Sequence, residues 1–172
     1  MTTPLEIATE RFLLRPLTEH DVNERYLAWM HDPDARKYIT AAARTERLSD
    51  LKQYVRARVD REDVIFLGIF DRDNDLHIGN IKYEPVDSRL GYAVMGVLIG
   101  HAGYRGREVA SEVIVASARW LHRYRSIEKI VLGVSKDNKA AIRAYERVGF
   151  IIAPTPYISV PMETALTMVL AL

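Results

Sequence analysis

The fold of this chain is decided by one stretch, Ile99-Gly100-His101-Ala102-Gly103-Tyr104-Arg105-Gly106-Arg107-Glu108-Val109-Ala110. It lies between a strand-like run that ends at Ile99 and an amphipathic pattern that begins at Val109, so it predicts a strand–loop–helix junction. The first turn of a helix presents unpaired backbone N–H groups and the positive end of the helix dipole. A glycine-rich turn at such a junction can bind a phosphate or pyrophosphate without a catalytic side chain.

The composition is that of an ordinary globular protein, and we expect one domain over residues 1–172. A net charge of +1, with arginines scattered among acidic residues, favours neither nucleic acid nor an anionic membrane as a partner. The absence of cysteine excludes a catalytic thiolate and a thiolate metal site, and the five histidines lack ligand spacing, so no metal is expected. The N-terminus lacks secretory-signal features and no apolar run reaches the roughly 20 residues that span a bilayer, which predicts a cytoplasmic location.

Hydrophobic periodicity predicts an α/β chain with one mixed, mostly antiparallel central sheet flanked by about four helices. In the first half of the chain we expect a strand over 11–15, a helix capped by Thr18 and Asp21, and a helix over 48–59. Three strands follow, over 64–70, 76–84 and 91–99, and then a long helix from Val109. The last part is expected to form a strand over 130–134, a helix capped by Asp137 or Asn138, and strands over 150–152 and 165–172. The long helix between the strands that end at 99 and begin at 130 predicts that these two strands are parallel.

Two common phosphate-binding motifs do not fit the stretch. A P-loop ends in Gly-Lys-Ser/Thr, whereas this chain has Arg107-Glu108-Val109. A dinucleotide-binding fingerprint follows the first strand of its unit, whereas this loop follows several strands. Neither class of nucleotide-binding protein is therefore indicated.

A second block follows about thirty residues later, Asp137-Asn138-Lys139-Ala140-Ala141-Ile142-Arg143-Ala144-Tyr145-Glu146-Arg147-Val148-Gly149-Phe150. The run Arg105–Ala110 resembles the Arg/Gln-x-x-Gly-x-Gly/Ala motif of the GCN5-related N-acetyltransferases, and the second block looks like the second cofactor motif of that superfamily. The opening Thr9–Leu17 is similar to the start of the branch that contains ribosomal-protein N-terminal acetyltransferases. The resemblance spans nearly the whole chain, with one departure, because Glu108 stands where the family has glycine.

The resemblance implies an enzyme that transfers an acetyl group from acetyl-CoA to an amine. The cofactor-binding residues that it implies are Val97, Ile99, Arg105, Gly106, Arg107, Val109, Ala110, Asn138 and Arg143. Tyr145 matches the tyrosine that protonates the departing sulfur, a role that suits a phenol with a pKa near 10. Its alternative role is to fill the core as an aromatic residue on the inner face of a helix.

The general base is left open by the sequence. Glu84 ends a central strand near the expected acceptor cleft and could take a proton from an ammonium group directly or through water, although a solvated carboxylate beside Pro85 at a strand end is the simpler interpretation. His77 and His101 are further candidates. An α-amino acceptor needs no protein base, since its pKa is near 8.

Three functions fit these observations. The favoured one is acetylation of the primary amine of a small molecule, such as an amino sugar or a nucleotide-linked amino sugar. The second is acetylation of a protein N-terminus. The third is a non-catalytic acyl-CoA-binding module, which Glu108 suggests. Both a monomer and a homodimer, paired through the apolar C-terminal strand, are consistent with the sequence.

Overall fold

The computed structural model describes residues 5–172, which form eight strands and six α-helices. In chain order the elements are β1 (Ile7–Ala8), β2 (Phe12–Pro16), α1 (Glu24–Met30), α2 (Pro33–Tyr38), α3 (Thr40–Ala43), α4 (Leu48–Val59), β3 (Ile65–Asp71), β4 (His77–Asp87), β5 (Tyr92–Ile99), a 3₁₀ turn (Ala102–Tyr104), α5 (Val109–Arg125), β6 (Lys129–Ser135), α6 (Lys139–Val148), β7 (Ile151–Ile152) and β8 (Ala165–Ala171). Residues 1–4 lie outside the described residues. They are part of the N-terminal segment in which the sequence analysis looked for a secretory signal.

The strands form one sheet in the order β1-β2-β3-β4-β5-β6-β8-β7. Strands β5 and β6 are parallel, and the other neighbouring strands are antiparallel. The 17-residue helix α5 connects β5 to β6, because two parallel strands need a long crossover. The predicted α/β fold with a mixed, mostly antiparallel sheet is confirmed.

The parallel strands separate after a short contact. β5 and β6 pair only from Tyr92 to Val94 and from Lys129 to Val131. Beyond these residues β5 stays paired with β4, and β6 stays paired with β8, to the ends of both strands. A V-shaped gap therefore opens between β5 and β6 toward their carboxyl ends.

Two apolar cores cover the two faces of the sheet. The alternation along β3 sends Ile65, Leu67 and Ile69 to the core beneath α5, and Phe66 and Phe70 to the core beneath α1–α4. Burial of alternate apolar residues on opposite faces is the expected behaviour of a central strand. The sheet is thus held between two packed layers.

The first helix begins later than the sequence predicts. Asn23 caps α1, and its side-chain oxygen accepts hydrogen bonds from the N–H groups of Arg25 and Tyr26. Asp21 instead closes a turn, accepting the N–H of Thr18 at 2.6 Å and the guanidinium of Arg15 at 2.8 Å. The capping-box hydrogen bond at Thr18 therefore forms, but it closes a turn, and the helix itself begins only after the Asn23 cap.

Two other predicted boundaries also differ. Asp32 and Pro33 were expected only to end the first helix, but they form the N-cap and the first residue of α2. Helices α2 and α3 were not predicted, and they raise the number of helices from about four to six. β4 continues to Asp87, although Pro85 predicted a break. The ladder with β5 shifts register between Tyr83 and Val86, and such an irregularity lets a strand include proline.

Gly100 lies where β5 meets the indole of Trp29, so we expect Gly100→Ala to destabilise the protein. A Cβ at this position would lie 2.0 Å from Trp29 Cδ2, and the buried ring has little room to move. Overpacking of this kind costs about 1–3 kcal/mol of unfolding free energy. Urea denaturation should show that loss, whereas Gly96→Ala is the matched control, because its Cβ would meet no atom within 4 Å. Equal stability of the two variants would contradict the packing described here.

Candidate active site

A cleft of about 850 Å³ begins in the gap between β5 and β6 and extends to α1–α4. Seven of the residues predicted from the sequence line it: Glu84, Val97, Ile99, Arg105, Ala110, Asn138 and Tyr145. The other four, Gly106, Arg107, Val109 and Arg143, are not part of the lining. The fold thus brings residues from β4, β5, α5 and α6, up to 61 positions apart in sequence, to one cavity.

The gap gives β5 a free edge of backbone N–H groups. Gly100 donates its N–H to Ile78 O of β4 at 3.0 Å. Because successive residues of a strand send their N–H groups to opposite sides, those of Ile99 and Val97 face away from β4 and toward the gap. These two donors have the orientation that an extended ligand lying along β5 would need.

The turn before α5 has the conformation of an anion-binding loop. Gly106 has a φ of 72°, in the left-handed region, and a Cβ there would meet no atom within 4 Å, so the backbone is openly accessible. Val109 is the first residue of α5, so its main-chain N–H has no partner within the helix, while its side chain is buried in the core. With the first-turn N–H groups of α5, this turn can accept a phosphate group.

The two arginines of this turn bond to its own backbone. Arg105 donates to Ile99 O at 3.1 Å and to Gly100 O at 3.3 Å. Arg107 donates to Gly103 O at 3.4 Å, and its guanidinium lies 5.3 Å from the centre of the Tyr104 ring. Both side chains therefore stabilise the loop conformation and leave positive charge beside it.

Glu108 is directed away from the turn. It is the N-cap of α5, with a left-handed φ of 57°, and its side chain makes no capping hydrogen bond. Its carboxylate is 72% exposed and lies 4.0 Å from the guanidinium of Arg147 on α6. The carboxylate at the family's glycine position therefore does not fill the predicted phosphate site.

The strain at Glu108 can be measured by comparing Glu108→Gly with Glu108→Val. Both variants remove the carboxylate, but only valine places a Cβ, and a branched one, in the left-handed region. We expect the valine variant to be about 1–2 kcal/mol less stable than the glycine variant in urea denaturation. The affinity of Glu108→Gly for acetyl-CoA, measured by calorimetry, should not fall below that of the unaltered protein. A loss of affinity in the glycine variant would show that the carboxylate supports binding.

Tyr145 lies on α6, on the side of the cleft opposite β5. Asn138 caps this helix through its side-chain oxygen, which accepts the N–H of Ala141 at 3.3 Å, and Gly149 ends it with a φ of 118°. The Tyr145 ring packs on Phe150 with centroids 5.7 Å apart. Burial raises the pKa of the Tyr145 phenol to about 12, so the hydroxyl keeps its proton at neutral pH.

The other polar residues of α6 are less involved. Arg143 is exposed on the helix surface and makes no side-chain hydrogen bond with residues 5–172. Lys139, at the first turn of α6, lines the cleft. Both cations lie on the helix that faces the free edge of β5, where they add positive charge.

Glu84 lines the cleft but is surrounded by cations. Its carboxylate accepts hydrogen bonds from Arg58 Nε at 2.9 Å and Arg61 Nη1 at 3.0 Å, and Lys82 Nζ lies 3.1 Å away. Burial acts to raise the pKa of the Glu84 carboxyl, but hydrogen bonds from Arg58 and Lys82 outweigh it and hold the pKa below its ordinary value. Its proposed role as general base stays a prediction, which these ion pairs disfavour.

The two candidate histidines have structural partners. His101 accepts the N–H of Gly103 through Nδ1 at 3.1 Å, which caps the 3₁₀ turn. His77 is buried and stacks on Phe70 with centroids 4.8 Å apart. Burial lowers the pKa of the His77 imidazole, so it is neutral at physiological pH.

Asn80 is a cleft residue that the sequence analysis missed. It lines the cleft, is 4% exposed and bonds through Oδ1 to His77 Nε2 at 2.8 Å. An amide in the middle of the otherwise apolar run from Ile78 to Ile81 was the available signal, since buried polar side chains are uncommon in strands.

Two findings concern other classes of site. Within residues 5–172, no group of three or more histidine and acidic side chains is arranged to hold a metal ion. No helix in the same part of the chain combines the length and apolar character needed to cross a membrane.

The separated parallel strands and the open turn before α5 agree with the acyl-CoA-dependent transferase fold that the sequence resemblance implies. The family model of the acetyltransferase (GNAT) domain matches residues 11–151, and the chain belongs to this family. Its members are enzymes that use acetyl-CoA as the acetyl donor. The resemblance inferred from the two sequence blocks is therefore confirmed, and so is acetyl-CoA as the co-substrate.

Solved structures of the same fold include acetyltransferases with different acceptors. The ribosomal L7/L12 α-N-protein acetyltransferase RimL, solved with coenzyme A, has a TM-score of 0.83 at 14% identity, over 97% of this chain and 98% of that chain. The spermidine N-acetyltransferase of Vibrio cholerae, solved with coenzyme A and spermine, has a TM-score of 0.79 at 16% identity, over 94% and 95%. An acetyltransferase of Agrobacterium tumefaciens has a TM-score of 0.80 at 22% identity, over 100% and 97%. No protein of curated function matches the sequence closely enough to count as a relative.

Proposed function

We propose that this protein is an N-acetyltransferase that acetylates the primary amine of a small molecule. The observation that carries the proposal is a single cleft that joins the turn before α5 and the free edge of β5 to an aromatic acceptor end, with Tyr145 in its wall. Acetyl-CoA supplies the acetyl group as a thioester. The remaining steps belong to the residues of this chain.

We assign binding of the coenzyme mainly to backbone N–H groups, with a smaller part for side chains. The N–H groups around Gly106 and Val109 would bind the pyrophosphate, with Arg105 and Arg107 adding charge. The N–H groups of Val97 and Ile99 would donate hydrogen bonds to the pantetheine arm, which would lie along β5 in the place of a neighbouring strand. The close approach that this requires is supported by the open space above Gly106 and by the unpaired edge of β5.

The chemical step is assigned to two groups. A backbone N–H of β5 in the gap polarises the thioester carbonyl as the amine attacks. Tyr145 Oη donates its proton to the departing sulfur as the C–S bond breaks. The attacking amine loses a proton as the amide forms, and a proton taken up from solvent restores the phenol, which burial keeps in its protonated form at neutral pH. The amine must arrive uncharged, and an acceptor with an amine pKa near 8 achieves this without a protein base.

The acceptor end of the cleft supports a small molecule with ring or polar groups. Aromatic side chains form much of its surface: Tyr26, Tyr38, Tyr54 and Phe66. Such a lining, with a few fixed polar groups, is typical of small-molecule sites. The Glu84 carboxylate is already ion-paired with Arg58, Arg61 and Lys82, which disfavours its use as a binding group for a polycation such as spermidine.

The test is a panel of amines in which release of free coenzyme A thiol is measured with acetyl-CoA as donor. We expect turnover with glucosamine and related amino sugars, and little with spermidine. Thiol release with N-terminal peptides alone would support the alternative acceptor, a protein N-terminus. Coenzyme binding without thiol release for any amine would overturn the proposal in favour of a non-catalytic acyl-CoA-binding module.

A further inference from the structure

The side chain of Asn80 has a hydrogen-bond donor with no partner. Its Oδ1 accepts a hydrogen bond from His77 in the tautomer that carries the imidazole proton on Nε2, while its Nδ2 is buried and makes no hydrogen bond with any residue from 5 to 172. An unsatisfied buried donor costs about 1–3 kcal/mol, and native structures keep such groups when they serve a purpose. Asn80 Nδ2 is therefore a candidate for contact with a bound molecule.

The amide cannot easily turn to satisfy this group within the protein. His77 holds the other end of the amide, and its ring is fixed between Phe70 at 4.8 Å and Trp29 at 4.9 Å, measured between ring centroids. Tyr26 packs on the same imidazole at 5.8 Å. The aromatic cage thus sets the direction of the Asn80 side chain.

The register of the sheet places Asn80 beside the reacting end of the cleft. Asn80 pairs with Leu98 on β5, between Val97 and Ile99, whose N–H groups face the gap. Lys82 and Glu84 follow on the same face of β4, farther from the carboxyl end of β5. A group bound by Asn80 therefore lies closer to the thioester site than a group bound by Lys82.

We propose that Asn80 Nδ2 donates a hydrogen bond to an oxygen of the acceptor close to its amine, so that the acceptors are amines with a hydroxyl or carbonyl oxygen on a neighbouring carbon. This inference rests on the proposed function and names its substrate class. Asn80 is an acceptor-binding residue, and His77 is the positioning residue that orients it. Simple alkylamines and polyamines lack the required oxygen.

The test compares glucosamine with cyclohexylamine, which has a ring of the same size without oxygens. With kcat/KM calculated on the concentration of the uncharged amine, the unaltered protein should prefer glucosamine to cyclohexylamine by about tenfold or more, as expected for one hydrogen bond to a buried donor. Asn80→Leu, of similar size, should reduce this ratio by about tenfold, while the KM for acetyl-CoA stays unchanged. Asn80→Asp keeps the bond to His77 and should lower the ratio too, so a folding defect of the leucine variant does not decide the result.

Ser117→Ala is the matched control, because Ser117 forms a buried polar pair with Tyr83 on the opposite face of the sheet. This variant should lower stability and leave the acceptor ratio unchanged. An unchanged ratio in both Asn80 variants, or no preference in the unaltered protein, would overturn the inference while leaving the acetyltransferase proposal intact. Failure to acetylate any amine would instead overturn the proposed function, and with it this inference.

Discussion

Tyr145→Phe is expected to lower kcat by about 100-fold or more, because general acid catalysis contributes about 10²–10⁴-fold. The variant keeps the ring that packs on Phe150 and removes only the hydroxyl, which makes no hydrogen bond with residues 5–172. The affinity for acetyl-CoA and the melting temperature should therefore stay close to those of the unaltered protein. Thiol release gives the rate, and calorimetry gives the affinity.

The pH dependence of kcat provides a separate test of Tyr145 as the proton donor. The Tyr145 pKa of about 12 means that the acid form persists through alkaline pH, so kcat should not fall between about pH 7 and pH 10. A phenol with its ordinary pKa would begin to lose its proton within that range. Unchanged turnover in Tyr145→Phe would remove the assigned proton-donor role and leave Tyr145 as a packing residue.

Gly96→Leu is expected to lower kcat/KM for the acceptor by about 100-fold, because a 1 Å misplacement of a substrate can cost that much. Gly96 pairs with Lys82 and lines the cleft, and a Cβ there would meet no atom within 4 Å. The added side chain would therefore enter the cleft without disturbing the core. Stability to urea should be close to that of the unaltered protein.

The matched control is Gly96→Ala, which adds one carbon at the same place and should have a much smaller effect. Retained acetyl-CoA affinity in the leucine variant would show that the acceptor path, and not the coenzyme site, is blocked. Full activity of Gly96→Leu would show that acceptors do not pass over this part of β5.

Local periodicity predicted most of the elements correctly. Helix α4 occupies the residues that the pattern at Leu48 and Val59 predicts, and Asn138 and Gly149 begin and end α6 as expected. These features depend on side-chain spacing and on capping chemistry within a few residues. The predicted start of α1 was wrong because two capping residues follow each other: Asp21 closes a turn with Thr18, and Asn23 caps the helix.

The parts of the site that were not predictable depend on contacts distant in sequence. The carboxylate of Glu84 is ion-paired with Arg58, 26 positions away, so its pKa could not be judged from the strand that contains it. The unpartnered amide of Asn80 is visible only once the aromatic cage around His77 is known. The gap between β5 and β6 likewise depends on where pairing stops, which no residue type alone specifies.

The central claim is that backbone N–H groups in the turn around Gly106 bind the diphosphate of acetyl-CoA. The most direct measurement is a calorimetric titration with acetyl-CoA, compared with S-acetylpantetheine, which lacks the diphosphate and the nucleotide. We expect acetyl-CoA to bind at a single site and the fragment to bind at least about tenfold more weakly, as the loss of charge-assisted hydrogen bonds requires. Equal affinity for the two ligands, or no binding of acetyl-CoA, would contradict the account.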